Sequence, residues 1–349
     1  MENILKNDQE TLMCSDEEAR QRIQANVIHL FELAPGTDIS RGKVKAHRPW
    51  LVKKYVRNCE NDSIRDPETL DKTLDYLFNN ILFLETNGNP MNYSLPRGKI
   101  VHTYEEIYDF LSDRLRAIAK DYKILGENTS DLYIKNHERM AKFYIMSSSR
   151  ACYYEGFDIF LNDERCRDIL SSLIEGYKER RKLNIHSENE AEFVAYKILI
   201  DMDKPIEVVT ILKEISRDLL NREILQLAVN IFFAYWEDNY SAFFRLVKNS
   251  SYWISCACYK FFESVRVSAM EIMKIAFREI YLDEFIDALW FSSTEEACEF
   301  LNIKGIRIKW NENKAEVCMK GIGILQNSYK PKIAISNIEN KRFIENCSL

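Results

Sequence analysis

The sequence predicts an all-α protein of helical repeats, stacked as a right-handed solenoid, that ends in a small module with a β-hairpin. Pro and Gly are scarce, 7 and 10 among 349 residues, so long segments contain no helix breakers. Successive segments carry apolar residues on one side at helical spacing, and such helices must pair to bury those sides. After residue 281 the pattern changes to two short helices and an alternating stretch, which is typical of a hairpin.

The N-terminal region divides into a tail, a first helix and a basic connector. Residues 1–12 are polar and are predicted to be disordered. Ser15 with Glu18 three places later forms a capping box, which predicts a helix that starts near Asp16. Residues 41–57 contain seven Lys or Arg and no acidic residue, so we interpret them as a basic connector and not as a helix.

The helical-repeat domain is predicted over residues 13–281. Its clearest helix follows Asp66-Pro67, an N-cap with Pro in the first turn, and buries Leu70, Leu74, Leu77, Ile81 and Leu84 on one face. Thr103 with Glu106 caps the next helix. Further helices are predicted at 131–153, 163–182, 188–201, 205–220, 222–237, 239–248, 251–263 and 265–281.

The C-terminal module is predicted over residues 282–322, and residues 323–349 follow it as a tail. It reads as two short helices at 283–291 and 293–303, then strands around Ile306–Trp310 and Ala315–Met319 with a turn at 311–313. Two helices followed by a hairpin form the outline of a winged helix. Helical repeats that run into a winged helix are the plan of PCI-type subunits, which build large complexes and usually catalyse nothing.

Composition and motifs argue against several classes of protein. The net charge of -6 argues against a nucleic-acid grip over the whole surface but allows local basic patches. Nine Cys without a C-x-x-C pair indicate reduced, mostly buried thiols. The N-terminus lacks a signal peptide, and the longest uncharged apolar run, 224–236, is too short for a membrane span.

Enzyme motifs are missing from the sequence. The five His are scattered, and no zinc-protease, G-x-S-x-G or P-loop motif is present. We therefore predict no catalysis, no cofactor and no metal site.

Many residues, in order along the chain, match one known family. The first group comprises Met13-Cys14 with Glu17-Glu18, Lys43-Val44-Lys45, Arg65-Asp66-Pro67, Thr73-Leu74-Asp75-Tyr76-Leu77, Tyr108-Asp109-Phe110, Asp113-Arg114-Leu115-Arg116-Ala117-Ile118 and Asp121. The second comprises Asn189-Glu190-Ala191-Glu192-Phe193 with Ala195-Tyr196, Asn239-Tyr240, Phe243-Phe244-Arg245-Leu246, Tyr259 with Phe261-Phe262, Val265-Arg266, Glu295-Glu296-Ala297, Phe300-Leu301 and Gly305. Over roughly residues 13–320 the chain resembles the SAC/GANP family of the germinal-centre-associated nuclear protein and its fungal scaffold counterpart, with Ser15 where the family has Pro.

This resemblance implies a scaffold subunit of a nuclear complex, TREX-two, that couples transcription to messenger-RNA export at the nuclear pore. It implies three partners: a second PCI-domain subunit with a small acidic DSS-type protein, single-stranded RNA or messenger ribonucleoprotein at adjacent winged helices, and, indirectly, nuclear pore components. No membrane partner is expected. Residues 1–12 and 323–349 are short beside the Phe-Gly repeats and the long C-terminal helix of the family's export scaffolds. The alternative is therefore a short paralogue or structural PCI subunit, acting in transcription elongation and splicing, at centrosomes or in another assembly, without RNA binding.

Candidate RNA-binding residues lie on the predicted hairpin and in the basic connector. From residue 301 onward nine Lys or Arg face four Glu. The hairpin set is Lys304, Arg307, Lys309 and Lys314 for phosphates, with Trp310 to stack on a base. The connector set is Lys43, Lys45, Arg48, Lys53 and Lys54, which could instead act in nuclear import.

Two structural alternatives stay open. The hairpin could be solvated with Trp310 in the core or in a subunit interface, and the connector could lie on the acidic solenoid, anchored by Trp50, Leu51 and Val52. For the partner subunit, the candidate contacts are Leu289, Trp290, Phe291, Ile306 and Ile308.

Two charged motifs are interpreted as structural. Asp113 and Arg116 lie three apart on a predicted helix, where an ion pair is expected. Ser187 with Glu190 is expected to cap the helix that carries Phe193.

Overall fold

A computed structural model describes residues 13–33, 46, 48–57, 63–82, 103–150, 156–310 and 314–319. These residues form two compact units, divided between Met140 and Ala141, and each unit is described separately.

The first unit is built on three helices, α1 (Asp16–Gln24), α2 (Pro67–Tyr76) and α3 (Tyr104–Leu125), and on the start of α4 (Asp131–Arg150). Side chains of Ser15, Asp66 and Thr103 accept hydrogen bonds from backbone N–H groups three residues later and so start α1, α2 and α3. The chain continues from α2 in one wide π-helical turn, Leu77–Ile81. Short 3-10 turns occur at Leu30–Glu32 and Arg48–Trp50.

The second unit contains the rest of α4 and a series of packed helices. These are α5 (Ile159–Lys182), α6 (Glu190–Ile200), α7 (Pro205–Glu214), α8 (Arg217–Leu220), α9 (Glu223–Trp236), α10 (Tyr240–Lys248), α11 (Tyr252–Cys258) and α12 (Phe262–Ala276). Helix α6 packs against α5, α9 and α11, and α10 packs against α9 and α12. Helix α6 lies in the interior of this unit, because nine of its eleven residues are buried.

The C-terminal part of the second unit combines two short helices, α13 (Leu282–Ala288) and α14 (Thr294–Ile303), with three strands. The strands are β1 (Glu279–Tyr281), β2 (Ile308–Trp310) and β3 (Ala315–Cys318), all antiparallel in the order β1-β3-β2. Ile280 and Ile308 both pair with Val317. Val317 is buried together with Phe285, Phe300 and Leu301, so this C-terminal module, residues 277–319, has its own small core.

The predicted fold class, all-α helical repeats followed by a small β-hairpin, is confirmed. One helix prediction was wrong at its end: 265–281 stops as a helix at Ala276 and continues into β1. Phe277 is extended, and the Met319 N–H donates to the Arg278 carbonyl, so pairing with β3 takes over from helical hydrogen bonding.

Two smaller corrections concern helix starts. The segment 205–220 divides into α7 and α8, because Ser216 accepts from the Leu219 N–H and starts a new helix. The expected capping box of Ser187 and Glu190 is absent, and within the described ranges the Ser187 hydroxyl has no hydrogen-bond partner.

The predicted domain boundaries stay predictions, and residues 1–12 and 320–349 lie outside the described residues. Of the helices that the structure describes, none combines the length and the apolar character needed to cross a bilayer.

Candidate partner and nucleic-acid surfaces

A buried carboxylate, Glu32, joins four parts of the first unit. Its Oε1 accepts from Arg114 Nη2 at 3.1 Å and from the Val52 N–H at 3.1 Å. Its Oε2 accepts from Arg22 in a short ion pair and from the His29 N–H at 3.1 Å. Burial opposes ionisation, yet the guanidinium groups of Arg114 and Arg22 hold the pKa of Glu32 below its ordinary value. The side chain is therefore a structural anion.

A second buried carboxylate, Asp121 on α3, binds two cations. Lys53 Nζ lies 2.7 Å from Oδ1, and Arg65 Nε lies 2.7 Å from Oδ2. The Lys53 ammonium group also donates to the Ser63 carbonyl at 2.8 Å. Because Lys53 is only 2% exposed, its assignment as an RNA-binding residue was wrong. It is a buried structural cation whose partner lies 68 residues away.

The rest of the basic connector is anchored and partly exposed. Leu51 and Val52 are fully buried, as the anchoring alternative expected. Arg48 Nη2 donates to the Cys14 carbonyl at 2.7 Å and to Asp16 at 2.8 Å, so it holds the start of α1. Lys43 and Lys45 lie outside the described residues.

Exposed cations of the connector lie beside a row of cations on α3. Arg116 stacks over the Tyr55 ring at 3.8 Å, and Lys120 Nζ donates to the Val56 carbonyl at 2.9 Å. These two contacts run the connector along the side of α3 that carries Arg116, Lys120 and, one turn later, Lys123. Together with the exposed Lys54 and Arg57 of the connector, these residues are called the basic ledge below. Only Lys54 was among the predicted residues. Charge spacing at three and four positions along 116–123 was the available signal for Arg116, Lys120 and Lys123, and Arg57 belongs to the basic connector.

On the C-terminal module, the hairpin exposes part of the predicted RNA-binding set. Trp310 is 67% exposed, so the alternative that it lies in the core of the chain is excluded. Arg307 and Lys314 are exposed, and Lys314 Nζ lies 4.2 Å above the Tyr281 ring. Lys309 forms an ion pair with Glu279, and this hydrogen bond raises the pKa of the lysine.

The outer face of the sheet is electrically balanced among the described residues. Its cations are Lys309 and Lys314, and its carboxylates are Glu279 and Glu316, the latter paired in register with Lys309. Net positive charge at the hairpin therefore comes from Arg307, which precedes β2.

Several predicted contact residues are buried within the module. Lys304 has a side chain only 2% exposed and pairs with Glu263 at 3.1 Å, so its assignment to RNA was wrong. Leu289, Phe291 and Ile306 are at most 6% exposed, which excludes them from a partner surface in this conformation because they fill the core of the module. Ile308 and Trp290 are half-buried and retain accessible surface.

Arg266 on α12 fastens the module to the preceding helix. Its guanidinium group donates to the carbonyls of Leu289 at 3.0 Å and Trp290 at 2.6 Å and to Glu296 at 3.0 Å. It also stacks over the Phe291 ring at 3.7 Å. Arg266 is fully buried, and Trp290 adopts a left-handed backbone with φ of 50° at this junction. The arginine fork thus fixes the turn between α13 and α14.

Burial shifts the pKa of several thiols and of one histidine away from neutral pH. Among the described residues, no group of three His, Cys, Asp or Glu side chains could hold a metal ion. Burial raises the pKa of the Cys14 thiol to about 12 and also raises those of Cys166 and Cys258. Burial lowers the pKa of His137 to about 4. The expected Asp113–Arg116 pair is replaced by one between Asp113 and Arg114 at 2.5 Å.

These features define a class: helical-repeat proteins in which charged motif residues hold the fold together and a small α/β module closes the array. The chain belongs to the SAC3/GANP family, whose sequence profile matches residues 13–310. This agrees with the resemblance read from the motifs.

Three curated relatives illustrate the match. SAC3 family protein 1 of Schizosaccharomyces pombe is 24% identical over 368 residues, covering 95% of this chain and 34% of the relative. SAC3 family protein B of Arabidopsis thaliana is 29% identical over 277 residues, 74% of this chain and 15% of the relative. Protein xmas of Drosophila melanogaster is 24% identical over 349 residues, 95% of this chain and 16% of the relative. The chain thus spans 34% or less of each relative's length.

Proposed function

We propose that this protein is a non-catalytic scaffold subunit of a nuclear, transcription-coupled messenger-RNA export complex. The observation that carries the proposal is the family match over residues 13–310, which spans both the helical array and nearly all of the C-terminal module. The buried charged side chains support a scaffold role, because Glu32, Asp121 and Arg266 join segments of the fold through ion pairs.

In this proposal the C-terminal module is a winged helix that lies beside the winged helix of a second PCI-domain subunit, which also carries a small acidic protein. The half-buried Ile308 and Trp290 provide partner contacts on this chain. Single-stranded RNA binds the hairpin, where Arg307 and Lys314 contact phosphates and Trp310 stacks on a base. The exposed cations of the basic ledge provide a second RNA contact. The protein acts in the nucleus and reaches the nuclear pore through its complex.

The test uses the full chain co-expressed with a candidate PCI-domain partner. Binding of a labelled single-stranded RNA is measured at several salt concentrations for the wild type and for the variant Arg307→Glu/Lys309→Glu/Lys314→Glu. The two proposed phosphate contacts, Arg307 and Lys314, predict that log K falls with log salt with a slope of about -1.4. The matched control is Lys213→Glu/Arg217→Glu/Lys248→Glu, which makes the same charge change at exposed positions of the helical array.

The results separate the two surfaces and the two classes of function. Loss of RNA affinity in the hairpin variant alone places the site there, and loss only in Lys54→Glu/Arg57→Glu/Lys123→Glu places it on the basic ledge. Equal affinity in every variant and the control refutes both sites.

A structural subunit without RNA binding is the second candidate function. The observation that favours it is the balanced outer face of the sheet, where Glu279 and Glu316 accompany Lys309 and Lys314. A stable complex with the PCI-domain partner that binds no RNA at low salt would establish this alternative.

A further inference from the structure

A cavity of about 300 Å³ lies at the turn between α9 and α10, next to α12. Its volume is at the lower end of the range for small-ligand sites. The residues that matter for recognition are Tyr235, Trp236, Asp238, Tyr240, Ser264 and Ser268, called the aromatic pocket below.

The aromatic walls of the pocket are held in place. Trp236 is 49% exposed, yet its indole N–H donates to the Met202 carbonyl at 2.8 Å, which fixes the ring. The Tyr235 ring packs against Phe261 with centroids 5.1 Å apart and meets Trp236 nearly at a right angle. Burial raises the pKa of Tyr235, so its phenol is neutral at physiological pH. Because these rings are already held in place, a ligand can contact their π faces and hydroxyl groups without the side chains having to rearrange.

Among the residues that the structure describes, Asp238 is the one charged side chain lining the aromatic pocket. The Ser268 hydroxyl donates to its Oδ1 at 2.6 Å, which orients the carboxylate and leaves Oδ2 without a hydrogen bond in the described part of the chain. Asp238 also has φ of 51°, a left-handed backbone that favours Gly or Asn at the end of a helix. The turn after α9 thus presents one oriented carboxylate to the pocket.

The surroundings of the pocket determine which ligand fits. Glu237, the neighbour of Asp238 in the chain, is exposed and adds a second carboxylate at this turn. Phe233, one helical turn before Trp236, is 50% exposed and extends the apolar surface beside the opening. A carboxylate next to Trp and Tyr rings is the combination that binds ammonium and guanidinium groups.

We propose that the aromatic pocket binds an Arg or Lys side chain from a basic, apolar segment of a partner protein. The cation pairs with Asp238 and lies against the rings of Trp236 and Tyr240, while a neighbouring apolar side chain covers Phe233. The site belongs to the helical array and does not depend on RNA binding by the hairpin.

The test labels the full chain with 5-fluorotryptophan, whose five resonances are followed by fluorine NMR. Trp236→Phe assigns the resonance of the pocket. The probe is an acetylated, amidated peptide Leu-Arg-Leu-Arg-Leu, and the matched neutral probe replaces each Arg with citrulline. We expect a saturable shift of the Trp236 resonance with the Arg peptide and none with the citrulline peptide.

Asp238→Asn keeps an acceptor for Ser268 and removes the charge, so peptide affinity should fall about tenfold, the usual scale of a charge-assisted contact. Asp283→Asn removes one exposed charge from α13 and should leave affinity unchanged. If Asp238→Asn does not fold, Tyr240→Leu removes one wall of the pocket and should give the same loss. Equal binding of both peptides, no shift at millimolar peptide, or full affinity in the folded pocket variants would overturn the proposal.

Discussion

Replacing Arg266 with Met should separate the C-terminal module energetically from the helical array. The substitution removes three donors and leaves Glu296, which is 6% exposed, as a buried carboxylate without its cation. Breaking a buried ion pair by removing one partner costs about 3 to 5 kcal/mol. That is a large share of the roughly 5 to 15 kcal/mol by which folded proteins are stable.

The measurement is urea denaturation of wild type, Arg266→Met, Glu296→Gln and the double variant, followed by circular dichroism. Each single change should cost at least about 3 kcal/mol, and the double variant at least about 1 kcal/mol less than their sum, because both charges are then gone. Hydrogen exchange should locate the loss of protection in residues 282–319. Arg245→Met, an exposed position on α10, should change stability by less than about 0.5 kcal/mol.

Two outcomes would refute this reasoning. A cost below about 1 kcal/mol for Arg266→Met would mean that solvent or another group replaces the fork. Strict additivity in the double variant would mean that Arg266 and Glu296 do not act as a pair.

Three further predictions concern other parts of the chain. Asp121→Asn should lower the free energy of unfolding by about 3 to 5 kcal/mol, because Lys53 and Arg65 lose their buried counter-charge. A loss under about 1 kcal/mol in urea denaturation, the size expected at an exposed site, would contradict this. Lowering the pH from 7 to 5 should reduce the free energy of unfolding by about 2 kcal/mol through His137, whose pKa falls from 6.5 to about 4 in the fold. The unfolded state binds more protons in this window, so stability decreases as the pH is lowered. His137→Gln should flatten that part of the plot of stability against pH. Gly126→Ala should cost about 1 kcal/mol of stability in thermal denaturation, because Gly126 ends α3 at φ of 70°, while an added Cβ would meet nothing within 4 Å, so the cost comes from the backbone. Gly126→Asn should recover part of the loss. Equal stability of all three proteins would exclude backbone strain as the cause.

Local signals in the sequence predicted much of the fold. Ser15, Asp66 and Thr103 all cap the helices expected of them, because an N-cap depends only on neighbours three residues away. The strand β1 was missed for the opposite reason. It has only three residues, too few for alternation to be recognised, and it forms by pairing with a strand far along the chain.

The exposure of candidate site residues was predictable only where the alternation of apolar and polar residues indicates it. Trp310 and Arg307 lie on the hairpin surface, as expected. Lys53 and Lys304 resemble solvated cations in sequence, yet each is buried against a carboxylate, 68 and 41 residues away. Distant ion pairs of this kind leave no periodic signal. The family motifs were the available clue, since Asp121 is one of the matching residues.

The Asp121 site also sets an order of folding during synthesis. Lys53 and Arg65 leave the ribosome 68 and 56 residues before the carboxylate that neutralises them. At typical elongation rates of roughly 5 to 20 residues per second, this gap lasts roughly 3 to 14 seconds. During that interval Lys53 and Arg65 lack their buried counter-charge, and a chain that ends before Asp121 cannot form this site of the first unit.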